Sequence, residues 1–198
     1  MATGAAPRSG SDTSFLHLAA LVVFAAAGQI SAMRSEEADG HLDNVLARRV
    51  SRGTWLAGRL GFGVALVTLA GLATGVGSWI DVASRQSGIG FVAMAQAGLN
   101  VAVPALFVLG VGTLLFGLAP RLAVPILYGL VPWSFLIEII GSSITTNHWL
   151  LDTAVLSHLG PVPATSLHWT AIAWLIGLGV IAALAGLAMF DRRDLAAA

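Results

Sequence analysis

The sequence predicts an all-α integral membrane protein with about five transmembrane helices, its N-terminus outside and its C-terminus cytoplasmic. Three observations carry that expectation. Of the 198 residues 57% are apolar and only 10% charged, and the mean hydropathy is +0.84, all outside the range of soluble domains. Five stretches approach or exceed the ~20 apolar residues that a helix needs to cross a ~30 Å hydrocarbon core. The arginines fall unevenly between the two sets of connections.

Residues 1–13, MATGAAPRSGSDT, are small and polar and read as a disordered tail; residues 14–198 read as one transmembrane domain. The first span runs from Phe15 to Met33 and is followed by Arg34, Glu36 and Glu37, a stop-transfer flank rather than a signal-peptide cleavage site. The second covers about 54–80. The third, 89–119, contains Gln96, Asn100 and Pro104 and is left whole, because its halves are too short to cross and Ala119-Pro120-Arg121 is the next credible turn. The fourth runs over 122–144 and the fifth over 169–190. Between these two, residues 145–168 form an external segment whose apolar part, Trp149 to Leu159, reads as a short re-entrant or interfacial helix ended by Gly160-Pro161-Val162-Pro163.

Orientation follows from positive charge, which cytoplasmic connections retain. Arg34, Arg48, Arg49, Arg52, Arg59, Arg121, Arg192 and Arg193 all lie on one side of this arrangement, leaving Arg8 and Arg85 on the other. Trp55 then marks the inner boundary and Trp79, Trp149 and Trp169 the outer one.

The segment 34–53 interrupts the apolar pattern: Arg34 to Trp55 holds eight of the twenty charged residues. Within it Leu42, Val45, Leu46 and Val50 share one helical face. Asp39 is a candidate N-cap, and acids early with bases late suit the helix dipole. Such a helix can rest on lipid headgroups through Arg48, Arg49 and Arg52, or fit a groove on a soluble partner.

Several function classes are excluded. All ten basic residues are arginine, so the chain lacks the lysine that a P-loop ATPase needs at its nucleotide phosphates. No cysteine is present and the net charge is zero; thiolate metal sites and disulfides are ruled out, and nothing suggests a nucleic-acid partner. His148, Asp152, His158 and His168 lack the spacing of a metal site. An intramembrane hydrolase using Glu36, Glu37 and His41 is disfavoured because these residues fall in an arginine-flanked connection rather than at membrane depth.

Within the spans Glu138 is the most expensive residue if charged, at about 2.5–3.5 kcal/mol. It either lines a pathway or, protonated or paired with an arginine of another repeat, holds helices together. Gln96 and Asn100, four apart, either form a polar stripe facing a substrate cavity or make interhelical hydrogen bonds; Trp133 is a further candidate for the pathway or an interhelical contact. Gly71-x-x-x-Gly75 permits close helix packing but is a weak match among 23 glycines.

The pattern carried by Glu36, Glu37, Gly40, Leu42, Asp43, Leu46, Ala47, Val50, Ser51, Arg52 and Trp55 resembles the polyketide-antibiotic exporter branch of the ABC type 2 permeases. The stretches LVPWSFLIEIIGS (130–142), LLDTAVLSHLGPVPA (150–164) and FDRRDL (190–195) are similar to later parts of that family, in the same order. Arg49 departs from the proline usual before V-S-R.

The resemblance implies a permease subunit of an ATP-driven exporter of hydrophobic or amphipathic compounds in the bacterial plasma membrane. It makes 34–53 a coupling helix, with Glu36, Glu37, Gly40, Leu42, Asp43, Leu46, Arg48, Arg49 and Arg52 meeting a separate ABC ATPase subunit. ATP and Mg would belong to that partner, with no cofactor on this chain and no catalytic residue. Family members carry two six-span repeats, and this chain corresponds to the second to sixth spans of the last one. A second permease chain or a homo-oligomer would complete the pathway; the alternative is a truncated or regulatory subunit that does not transport.

The orientation is testable in a chain without native cysteine. His41→Cys should react with a membrane-impermeant maleimide only from the cytoplasmic side, and His148→Cys only from outside. The reverse pattern would invert the topology.

Overall fold

The computed structural model describes residues 10–39, 51–84, 90–141 and 168–192, side chains included except at 10–16 and 138–141. These residues form five α-helices: α1 Gly10–Ala38, α2 Arg52–Ser84, α3 Phe91–Leu118, α4 Pro120–Gly141 and α5 Trp169–Asp191. All five are long and apolar enough to cross a membrane, and no strand occurs among the described residues. Helices are what lipid demands, since each satisfies its backbone N–H and C=O groups internally where no water can.

The third span is one continuous helix through Pro104. It ends where expected: the Ala119 N–H donates to the Leu115 carbonyl at 2.7 Å, and the Ala119 carbonyl accepts from Leu122 and Ala123 N–H at 2.9 and 3.1 Å. Pro120 opens α4 at a position where its missing N–H has no helical partner to lose. A single residue therefore turns the chain between two spans. The first helix is longer than its apolar core, continuing past Met33 through Ser35-Glu36-Glu37 to Ala38. Good helix formers extend it, and an Arg34–Glu37 pair at 3.5 Å supports its last turn.

Helix α3 is the axis of the bundle, packing on all four others, with α4 and α5 on different parts of its surface. Size does not decide which residues are inside, because lipid tails are as apolar as leucine and close van der Waals contact replaces the hydrophobic effect: Phe116, Phe190, Ile30, Met33 and Leu109 are fully buried beside many alanines. Ala19, Ala26, Ala27, Ala97, Ala102, Ala105 and Ala123 are buried, whereas Leu21, Leu69, Trp174, Ile181 and Leu184 are exposed. Buried hydroxyls are absorbed locally: Thr74 and Thr113 donate to the carbonyls of Ala70 and Leu109 at 2.9 and 2.8 Å.

Glycine sets the closest approaches. A Cβ at Gly71 would stand 2.7 Å from the Gly98 carbonyl oxygen, and one at Gly75 would stand 2.6 Å from that of Met94, so Gly71-x-x-x-Gly75 forms the α2–α3 crossing. Along the other side of α3, Gly110 faces Gly179 and Gly117 faces Gly186, backbone against backbone. The members of each pair are 69 residues apart, so one heptad on α3 meets one heptad on α5.

Trp79 meets Phe91 edge-on at 5.4 Å, and His17 meets Phe135 at 5.6 Å, joining α2 to α3 and α1 to α4 at the end remote from Glu36. Trp55 and Trp79 are 24 residues apart on α2, a rise of about 36 Å, which fits a bilayer core with its interfaces.

The crossings predict a graded response to one added methyl. Gly110→Ala and Gly117→Ala should force α3 from α5 and destabilise by about 1–3 kcal/mol, whereas Gly28→Ala and Gly177→Ala, with nothing within 4 Å, should not. Thermal unfolding in detergent followed by size-exclusion profile measures the difference, and equal behaviour of the two groups would refute it.

Candidate functional site at the charged end of the bundle

Antiparallel succession brings the end of α1, the start of α2, the end of α3, the start of α4 and the end of α5 together. Most charges among the described residues gather there: Arg34, Glu36, Glu37, Asp39, Arg52, Arg59, Arg121, Asp191 and Arg192. Two structural units organise them.

The first joins α1 to α2. Carboxylates on the last turn of α1 face the negative end of that helix's dipole and need compensating cations. Glu36 finds one in Arg59, whose Nε donates to Oε2 at 3.1 Å while Nη2 pairs with Oε1, giving the two-pronged contact that suits guanidinium and carboxylate. Both side chains are about one-third exposed, at 33% for Arg59 and 30% for Glu36. Glu37 lies deeper, its side chain only 9% exposed beside Arg34. Asp39 closes α1: its N–H donates to the Ser35 carbonyl at 2.9 Å, and its carboxylate accepts from the Ser35 hydroxyl at 3.2 Å.

The second unit joins α2 to α5 and α3. Ser51 caps α2, its hydroxyl accepting from the Thr54 N–H at 3.2 Å and its carbonyl from the Trp55 N–H at 3.0 Å. Gly53, in the first turn, leaves room for the Asp191 carboxylate: a Cβ there would lie 2.7 and 2.9 Å from its two oxygens. A negative group at the opening of α2 is favourably placed in that helix's dipole. Beside it the Trp55 ring lies 6.0 Å from that of Phe190, which stacks on Phe116 at 5.4 Å with the planes 30° apart. Phe116 and Phe190 are fully buried.

Of the residues assigned from sequence to the coupling surface, Glu36 and Glu37 stand on the last turn of α1 and Arg52 opens α2. Gly40, Leu42, Asp43, Leu46, Arg48 and Arg49 lie outside the described residues, as do His148, Asp152, His158 and the external segment. Asn100 is buried and Gln96 exposed. At about 100° per residue, Asn100 falls on the side of α3 opposite the α2 contact of Gly98 and Ala102. Trp133 is 49% exposed on α4; Glu138 belongs to the same helix, and its side chain lies outside the described set. No cluster of three or more metal-ligating side chains occurs among the described residues.

From sequence, Arg59 served only to orient the chain, Trp55 only as a boundary marker and motif member, and Phe190 and Asp191 only as members of a motif. The signal was the recurrence of aromatic and acidic residues next to arginines at the ends of different spans. Their contacts join helices far apart in sequence, so no local pattern displays them.

Comparison with known proteins gives these features a context. The multidrug efflux system permease protein Rv1217c of Mycobacterium tuberculosis (strain ATCC 25618 / H37Rv) is 27% identical over 164 residues, an alignment that covers 82% of this chain and 30% of that protein. The chain therefore spans less than a third of the length of this curated relative. A family model described as the C-terminal domain of the multidrug efflux system permease Rv1217c matches residues 3–191. With nearly its whole length inside that match, including every described helix, the chain belongs to the family of this permease C-terminal domain.

Proposed function

We propose that the chain is a permease subunit of an ATP-driven ABC exporter that moves hydrophobic or amphipathic compounds, antibiotics or drug-like molecules among them, out of a bacterial cell across its plasma membrane. Membership of a multidrug efflux permease family carries this reading, and the charged end of the bundle supports it. Energy comes from a separate ATPase, which holds the ATP and Mg and docks on the cytoplasmic end formed by Glu36, Glu37, Arg52 and the segment between them. A second permease chain, or a second copy of this one, completes the pathway. Direction arises because the ATPase binds two arrangements of the spans with different affinity, so hydrolysis drives the population from one to the other.

The structure refines what docking requires. Glu36 and Glu37 are engaged inside the chain, by Arg59 and Arg34, so an approaching partner must share these carboxylates or displace an arginine from them. The Glu36–Arg59 pair fixes where the end of α1 stands relative to α2, and the Arg34–Glu37 pair holds within α1.

Charge substitutions separate docking from internal bracing. In the complex purified with its ATPase, Glu36→Arg with Glu37→Arg should abolish drug-stimulated ATP hydrolysis while membrane insertion is kept. Glu36→Arg combined with Arg59→Glu rebuilds the internal pair in reverse, and stimulation should stay lost. Recovery in the reversed pair would confine Glu36 to bracing and remove it from the docking surface.

A further inference from the structure

We infer that the C-terminal end of α5 is a working part of the coupling apparatus: Phe190 and Asp191 clamp α5 to the first turn of α2, so that a push on the segment entering α2 moves α2, α5 and α3 together. The inference rests on the proposed docking of an ATPase at this end, and assigns Phe190 and Asp191 as positioning residues.

The described parts of two separate sequence motifs, residues 51–55 of V-S-R-x-x-W and 190–192 of F-D-R-R-D-L, meet here. Each conspicuous residue has a mechanical part. Ser51 caps α2 and defines where the helix starts. Gly53 is the one position in this turn where the chain omits a side chain, and the Asp191 carboxylate occupies the space. Trp55 lies against Phe190, and Phe190 stacks on Phe116 of α3. Behind this contact the paired glycines 117 and 186, then 110 and 179, hold α3 and α5 together by their backbones. Phe116 and Phe190 have no solvent exposure and are backed by backbone contact, which leaves no slack between α3 and α5; Trp55, half-buried against Phe190, delivers displacement of α2 into that contact.

A merely structural role predicts loss of folded protein when the stack is weakened. A transmitting role predicts a folded complex that binds its ATPase and ignores its drug. The chain has no cysteine, which permits a reversible test. The Gly53 Cβ position is 3.1 Å from Asp191 Cγ, close to the ~3 Å between a Cβ and the far sulfur that disulfide geometry implies. Gly53→Cys with Asp191→Cys can therefore replace the packing by a covalent bond.

In the complex reconstituted in lipid, Phe190→Ala should leave ATPase co-purification and basal hydrolysis unchanged. Stimulation by whichever of ethidium, rhodamine 6G or Hoechst 33342 activates the unaltered complex should fall about fivefold or more. Adding the two cysteines to Phe190→Ala should restore stimulation after mild oxidation, and reductant should remove it again. Phe190→Leu, which keeps bulk but not the ring stack, serves the same comparison if the alanine variant fails to insert. Full stimulation without the ring, or a formed cross-link that restores nothing, overturns the inference while leaving the ATPase reading standing. An unaltered chain that brings down no ATPase, or is stimulated by none of the dyes, overturns both.

Discussion

The close approach of α3 to its neighbours is the constraint on which the rest of the structure depends. In lipid an apolar side chain gains little by leaving the solvent, so a helix pair holds only if its backbones come near enough for many atoms to touch. Glycine at 71, 75 and 98 allows this toward α2, and at 110, 117, 179 and 186 toward α5. With α3 fixed on two sides, α1 settles over the rest of its length: Ile30 meets the space beside Gly112, and Leu127 of α4 fills the same place. Large residues can face outward at no cost, and the exposed surface carries Phe62, Leu69, Trp174 and Ile181 while Phe116, Phe190 and Met33 are buried.

Close packing also decides where charge can go. The sides of the bundle meet lipid and its interior is filled by apolar side chains with a few hydroxyls and one amide among the described residues, so ionic groups gather at helix ends. At one end they form the Glu36–Arg59 fork and place Asp191 at the opening of α2. Both contacts connect helices that are not held by the glycine pairs alone: α1 to α2 in the first case, α5 to α2 in the second. Electrostatics thus adds connections at the periphery of a core built by sterics. Such half-exposed pairs contribute only about 0.2–1 kcal/mol to stability in water. Their stronger effect is to fix position, since a two-pronged guanidinium contact tolerates little rotation.

The spans were legible because length and hydropathy are local properties and lipid tests them directly. Leaving α3 whole across Pro104 and turning the chain at Ala119-Pro120 both followed from span length, and both describe the structure. Which glycines matter was not legible. Gly28, Gly58, Gly61, Gly77 and Gly177 meet nothing within 4 Å, yet in the sequence they look like Gly110 or Gly179. Only a partner 69 residues away distinguishes them. The candidate site divides the same way: Glu36 and Glu37 stand out as acids after a span, whereas Arg59 is conspicuous only once α1 and α2 lie side by side. Helix α1 outlasts its apolar stretch for a related reason. Hydropathy marks where lipid stops, but a helix continues while its residues favour it, and Ser35-Glu36-Glu37-Ala38 do.

The two levels of organisation bear on how such a subunit could respond to a partner. A domain pushing on a helix end moves whatever is rigidly joined to it, and the glycine crossings make α2, α3 and α5 a single body along most of their length. Helix α4 is held differently: one residue, Ala119, connects it to α3, and its main contacts are with α1 and α3. A body of three helices beside a fourth turning on a one-residue corner has a natural line of division, between α5 and α4, on the side of α3 facing away from α2. Asn100 is buried on that side. Motion that separated α4 from α5 would open the bundle at Asn100, the one buried amide among the described residues, rather than through its glycine seams.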